Sequence, residues 1–175
     1  ALPISVFYGR IGEEKGIRIL EKIWDRIVNI PLVVMGGGPM EDEFSKWAAG
    51  KSNVHYLGYT EHSKCLSIVK GADFVVFPSI WYEGCSMVEI EAESLGKPLI
   101  ATDLGFSVEA VKNGHNGYKV PLADVDGFVS VISGLWKKPE KITEMGINAR
   151  KDYEEKYMPE DNYRQLMSIY TRCLE

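Results

Sequence analysis

Short apolar runs, most of them β-branched or aromatic, recur at residues 4–8, 31–35, 54–57, 72–77, 98–101 and 117–120, with Gly, Pro or Asn close to their ends. Runs of this length between turn-forming residues predict strands. Between them, apolar positions return at the spacing of a helix lying on a sheet. The clearest case is 13–29, where Ile17, Leu20, Ile23, Trp24, Ile27 and Val28 share one side. Helices are likewise predicted over 40–49, 61–70, 86–96, 107–112, 125–136, 140–157 and 161–174.

Strands that are apolar on both faces must be covered on both faces, and strands alternating with helices give parallel pairing. The expected fold is therefore α/β, a Rossmann-like doubly wound parallel six-stranded sheet with strand order 3-2-1-4-5-6, built as a single domain over 1–175. In that winding, ligands sit where the order reverses, beyond the carboxyl ends of strands one and four. The loop after Tyr8 and the loop after Phe77 must then lie side by side.

Composition narrows the function classes. The chain has 175 residues, 45% apolar and 26% charged, with net charge −5. That balance implies no general attraction to nucleic acid or to an anionic membrane, so any phosphate must be held by a few placed cations. Cys65, Cys85 and Cys173 are odd in number and lack ligand spacing, which argues for a reducing, cytoplasmic setting and against a disulfide framework or zinc site. His55, His62 and His115 show no paired metal spacing, and no nucleophile elbow is present. No signal-peptide pattern opens the chain, and its start at Ala1-Leu2-Pro3, running almost directly into a strand, suggests a domain cut from a longer protein.

Candidate chemistry concentrates at 77–96. A strand feeding a helix through a loop broken by Pro78 and Gly84 presents free amides at the helix start, near Cys85, Ser86 and Met87, a setting suited to an anion. On a helical projection Met87, Val88, Ile90, Ala92 and Leu95 share one arc with Glu91 near its middle, and Glu89 and Glu93 lie opposite. Ser86 and Glu89 have capping-box spacing. Glu91, placed on an apolar face, either pairs with an internal cation or neighbouring loop, or serves a ligand. Glu83 is either a solvated loop carboxylate or a site residue.

The loop 9–16 holds Arg10 and Lys15, which either bind phosphate or are neutralised by Glu13 and Glu14. Gly36-Gly37-Gly38-Pro39 reads as a tight turn with Pro at the first helical position, although Gly37 would also admit a ligand. Leu57-Gly58-Tyr59-Thr60 is either a plain turn or a rest for a flat base. Of Trp81 and Tyr82, one is expected to pack under the loop.

Taken together, these segments resemble the donor-binding, C-terminal domain of retaining glycosyltransferases of the two-domain GT-B architecture, group 1 or family 4 type. The resemblance rests on Gly-Arg-Ile-Gly-Glu-Glu-Lys-Gly at 9–16, Gly-Gly-Gly-Pro at 36–39, Val-His-Tyr-Leu-Gly-Tyr at 54–59, Ala-Asp-Phe-Val-Val-Phe-Pro-Ser at 72–79 and Glu-Gly-Cys-Ser-Met-Val-Glu-Ile-Glu-Ala at 83–92. Pro98-Leu-Ile-Ala-Thr, Glu109 and Gly114-x-x-Gly117-Tyr continue it.

The resemblance implies a UDP-, GDP- or ADP-sugar donor and transfer of a hexose-type sugar without a metal. Catalytic roles fall to Arg10 and Lys15 at the diphosphate and to Glu83 beside the sugar. Glu91 would hold the ribose, with Gly37, Tyr59, Gly84, Cys85, Ser86 and Met87 completing the nucleotide-sugar site. Cys85-Ser86 departs from the aromatic-Gly pair of many relatives. The acceptor-binding N-terminal domain of the family is absent, so the fragment is expected to bind donor but transfer poorly, with any contact to the cytoplasmic membrane face made through that other domain. The helix 161–174 is expected where relatives send a helix back across it. The alternatives are a GT-B nucleotide-sugar epimerase and a non-catalytic nucleotide-binding module; a phosphorylase would need a pyridoxal lysine motif that is not evident here.

Overall fold

The computed structural model describes residues 4–174, so Ala1-Leu2-Pro3 lies outside the described residues. Six parallel strands, β1 (Ser5–Tyr8), β2 (Leu32–Met35), β3 (Val54–Tyr56), β4 (Phe74–Phe77), β5 (Leu99–Thr102) and β6 (Gly117–Val120), pair in the order β3-β2-β1-β4-β5-β6. Around them run α1 (Ile17–Arg26), α2 (Glu41–Ala49), α3 (His62–Gly71), α4 (Met87–Ser94), α5 (Ser107–Ala110), α6 (Val125–Trp136), α7 (Pro139–Lys156) and α8 (Pro159–Leu174). The expected winding and strand order are both present.

Side-chain alternation along the strands builds a core on each face. Phe7, Val34, Phe74, Val76 and Ile100 pack with Leu20 and Trp24 of α1, Phe44 of α2 and Phe128 of α6. Val6, Tyr8, Met35, Val75 and Phe77 turn the other way, toward Cys65 and Val69 of α3 and Ala92 of α4. Burying each large apolar side chain contributes about 1.5–3 kcal/mol, which is why short strands suffice.

Three expected elements differ. The helix expected over 13–29 is broken: Glu13–Lys15 is a single 3-10 turn, Gly16 takes φ 73°, and α1 ends at Arg26. The break follows from a close approach, because a Cβ on Gly16 would stand 1.8 Å from the carbonyl oxygen of Pro78. Pro39 lies before α2 rather than in its first turn, since Met40 is the N-cap. The last helix opens slightly earlier than expected, at Pro159, and its Tyr163, Leu166, Met167, Ile169 and Tyr170 are all exposed. Among the described residues no helix is long and apolar enough to cross a membrane.

Candidate functional site

At the carboxyl edge of the sheet, backbone hydrogen bonds tie the first three loops together. Gly9 N donates to Met35 O at 3.0 Å, Ile11 N to Gly37 O at 3.0 Å and Gly36 N to Gly58 O at 2.9 Å. Gly36 sits at φ 140°, and a Cβ there would lie 1.8 Å from the carbonyl oxygen of Gly9. The glycine run is thus required by packing between loops. Gly37, by contrast, lines a cleft.

The two loops at the reversal of strand order lie side by side, as expected. Lys15 Nζ is 2.5 Å from Glu83 Oε1, Ile80 N donates to Glu14 O at 3.0 Å, and Ser79 Oγ stands 3.1 Å from Glu14 O and 3.2 Å from Glu83 Oε1. The Glu83 backbone is held from the far side, where its carbonyl accepts from Phe106 N at 2.8 Å. Arg10 reaches Glu14 across 3.6 Å but stays 66% exposed, whereas Lys15 is 24% and Glu83 15% exposed. Neutralisation by neighbouring acids therefore describes Arg10 only; Lys15 crosses the switch point to Glu83.

Ser86 is the N-cap of α4, accepting from Glu89 N at 3.4 Å, while the amides of Cys85, Ser86 and Met87 have no acceptor among the described residues. The projected apolar arc does pack on the sheet core, through Val88, Ala92 and Leu95, but the opposite side of the helix is buried as well. The most deeply buried residues of α4 are Glu89, Ala92 and Glu93, and Met87 is exposed. The cause is α7, whose Gly146 meets Gly96 closely, together with polar partners waiting beneath. Ser107 Oγ donates to Glu89 Oε1 at 2.6 Å, and Asn116 Nδ2 donates to Glu93 Oε1 at 3.1 Å. The carboxylate half of the capping box is not made; Glu89 turns to Ser107 instead.

Burial pushes both carboxyls up to about 7, with the Asp152 charge adding to the effect at Glu93. A carboxyl whose folded value is raised stabilises the fold below its ordinary value near 4.5, and that contribution is lost as pH climbs toward 7. Between pH 5 and 8, Glu89→Gln is expected to remove on the order of 2 kcal/mol of the pH dependence, read from urea midpoints against the parent chain. An unchanged slope would contradict the assignment.

The other acid, Glu91, is 17% exposed and lies with His62 Nε2 3.3 Å from its Oε1. The Tyr8 hydroxyl donates to Val88 O at 2.8 Å, and burial together with the Glu91 charge raises the phenol well above its usual range. Burial, then Glu91, pushes the Cys65 thiol up to about 11. Tyr8, Arg10, Gly37, Tyr59, His62 and Cys65 line a cleft of about 320 Å³. A second, of about 440 Å³, is lined by Arg10, Glu14, Lys15, Trp81 and Glu83. Arg10 belongs to both. Larger clefts of about 570 and 480 Å³ lie against α7 and hold none of these loop residues.

Tyr59 is 83% exposed, and Trp81 and Tyr82 are both exposed, so neither fills space beneath the loop as one was expected to. Gly84 and Cys85 are exposed at the mouth of the site. Sequence reasoning missed Tyr8, Cys65, Ser79 and His62. Tyr8 carried a signal as the last residue of the strand next to the switch; His62 carried none, because its partner Glu91 is supplied by a different helix.

The sequence profile described as glycosyl transferases group 1 matches residues 2–152. The chain belongs to that family. Among group 1 relatives, the D-rhamnosyltransferase WbpZ of Pseudomonas aeruginosa is 29% identical over 154 residues, covering 86% of this chain and 40% of that protein. HepE from Anabaena, crystallised with UDP-glucose, superposes with TM-score 0.85 at 19% identity, covering 97% of this chain and 49% of that one. A crystallised C-terminal domain of a group 1 glycosyl transferase from Francisella tularensis superposes with TM-score 0.78 at 20% identity, covering 90% and 89%. The fold is thus the Rossmann-like half of the GT-B architecture, and the chain spans less than half the length of the first curated group 1 relatives it matches.

Proposed function

We propose that this chain is the donor-binding domain of a retaining glycosyltransferase that takes a hexose-type sugar from a UDP-, GDP- or ADP-sugar and passes it to a glycan, lipid or other acceptor. One observation carries the reading: Arg10 lines both clefts, so a ligand running from Tyr59 to Glu83 passes Arg10 at its middle and then Lys15 beside Glu83. A diphosphate suits that middle. Glu91 would take the ribose, Gly37 and Tyr59 the base, and Glu83 with the Gly84 backbone the sugar. The unpaired amides of Cys85, Ser86 and Met87 face developing negative charge at the start of α4.

In transfer, the bond from the anomeric carbon to the diphosphate oxygen breaks with its electron pair on that oxygen, the acceptor hydroxyl oxygen bonds to the carbon on the same face, and the hydroxyl proton passes to the departing diphosphate oxygen. Fixed cations and amides stabilise the charge growing on the leaving group, with no solvent rearrangement at that moment. Two side-chain cations serve the diphosphate in this reading, and we assign no metal to it. Exposed Tyr59, Trp81, Tyr82 and Met87 rim the same edge. Because the chain spans less than half the length of the first curated relatives, we assign acceptor binding to a second domain closing over that rim, so the chain alone binds donor but transfers poorly. Free cysteines favour a reducing, cytoplasmic location, and any membrane contact is assigned to the other domain.

Calorimetric titration with UDP, GDP, ADP and their sugars tests this. At least one nucleoside diphosphate should bind, and Arg10→Ala should weaken it by about tenfold while leaving the free nucleoside unchanged. Failure of all of them to bind would overturn the reading.

A further inference from the structure

We infer that His62 is a positioning residue that holds Glu91 for the ribose and so sets a preference for ribonucleotides over 2′-deoxyribonucleotides. The inference rests on the donor-site reading above and adds to it a residue from a different helix. His62 is the first residue of α3. Its backbone is set by the preceding Glu61, whose carboxylate accepts from Ser63 N at 3.0 Å and Lys64 N at 3.2 Å and so caps the helix. From that fixed start the imidazole reaches Glu91, with Nε2 3.3 Å from Oε1. Among the described residues no lysine or arginine nitrogen lies within 4.0 Å of this carboxylate. His62 also lines the cleft of about 320 Å³, together with Gly37, Tyr59 and Thr60.

A carboxylate only accepts hydrogen bonds, with room for about four. A ribose diol brings two hydroxyl donors, and both bond well only when the carboxylate plane is turned to meet them. A free glutamate side chain samples several rotamers and loses that freedom on binding. The imidazole standing 3.3 Å from Oε1 restricts this freedom beforehand and leaves Oε2 open to the sugar. A nucleotide without the 2′-hydroxyl then leaves a prepared acceptor unpaired, which is how polar sites reject analogues missing a group. His62 is 66% exposed, so its contribution is geometric rather than a bulk electrostatic one.

The test uses whichever of UDP, GDP and ADP binds tightest, with its 2′-deoxy counterpart, titrated calorimetrically into the 175-residue chain. The parent chain should favour the ribonucleotide by about tenfold or more. His62→Ala should reduce that ratio to about two- to threefold by weakening the ribonucleotide alone, and His62→Gln, which keeps an N–H at similar reach, should restore most of it. Unchanged binding of the deoxynucleotide by His62→Ala doubles as the folding control. The inference falls if the parent chain does not discriminate, if His62→Ala weakens both ligands equally, or if it leaves the ratio intact while Glu91→Ala collapses it. If Glu91→Ala leaves both affinity and ratio untouched, the placement of the ribose itself has failed.

Discussion

Lys15→Ala is expected to lower the rate of the sugar transfer proposed for the full-length protein by about 10²–10³-fold, the loss usual when a preorganised group facing a developing charge is removed. Lys15 should matter more than Arg10. Its ammonium is largely buried, whereas the Arg10 guanidinium is two-thirds exposed and screened by solvent and salt. The alanine variant also strands Glu83, leaving a carboxylate without its cation beside the diphosphate position. Glu83→Gln should give the opposite pattern in binding: Lys15 is released from its 2.5 Å ion pair, nucleoside diphosphate affinity rises by about two- to fivefold, and the rate of transfer still falls. Steady-state kinetics of the complete enzyme and calorimetry of the chain separate the two effects. A normal transfer rate for Lys15→Ala would remove Lys15 from the mechanism, and a normal rate for Glu83→Gln would remove Glu83 from it.

The largest effect on stability is expected at Gly16. Alanine there would have to hold φ 73° and place its Cβ 1.8 Å from the Pro78 carbonyl oxygen, so the loop after β1 must retreat from the loop after β4. The cost should be about 3 kcal/mol or more, and the melting temperature of a chain this size should fall by roughly 10 °C. The retreat also separates Lys15 from Glu83, so diphosphate affinity should fall with stability. Gly134→Ala is the control. It sits inside α6 with nothing within 4 Å of the added carbon, and alanine there should stabilise by about 0.5–1 kcal/mol. Thermal melts of the two variants side by side would show whether backbone contact, rather than glycine content, governs the difference.

The carboxyl-edge site was legible wherever chemistry and local pattern coincide. Arg10, Lys15, Glu83 and the α4 amides are brought together because β1 and β4 are neighbours, a consequence of strand order alone. The burial of the acidic side of α4 was not legible. Counting apolar positions places Glu89 and Glu93 toward solvent, yet Ser107 and Asn116 satisfy one oxygen of each, and Glu89 Oε2 and Glu93 Oε2 stay buried without a partner. Which face of a short helix is covered depends on what packs on it, and here α7 does, from more than fifty residues away.

The sequence alone specifies a six-stranded doubly wound α/β domain, and it points to the anion site proposed between the first and fourth loops. Those properties follow from the near-continuous apolarity of the strands, the helical period between them and the placement of two cations. The tertiary structure decided that α4 buries its acidic side as well, why Gly16 interrupts a helix, that Lys15 pairs with Glu83, and that His62 reaches Glu91. Each of these is a contact between residues distant in the chain, settled by shape and by the pairing of buried charge, which no local pattern encodes.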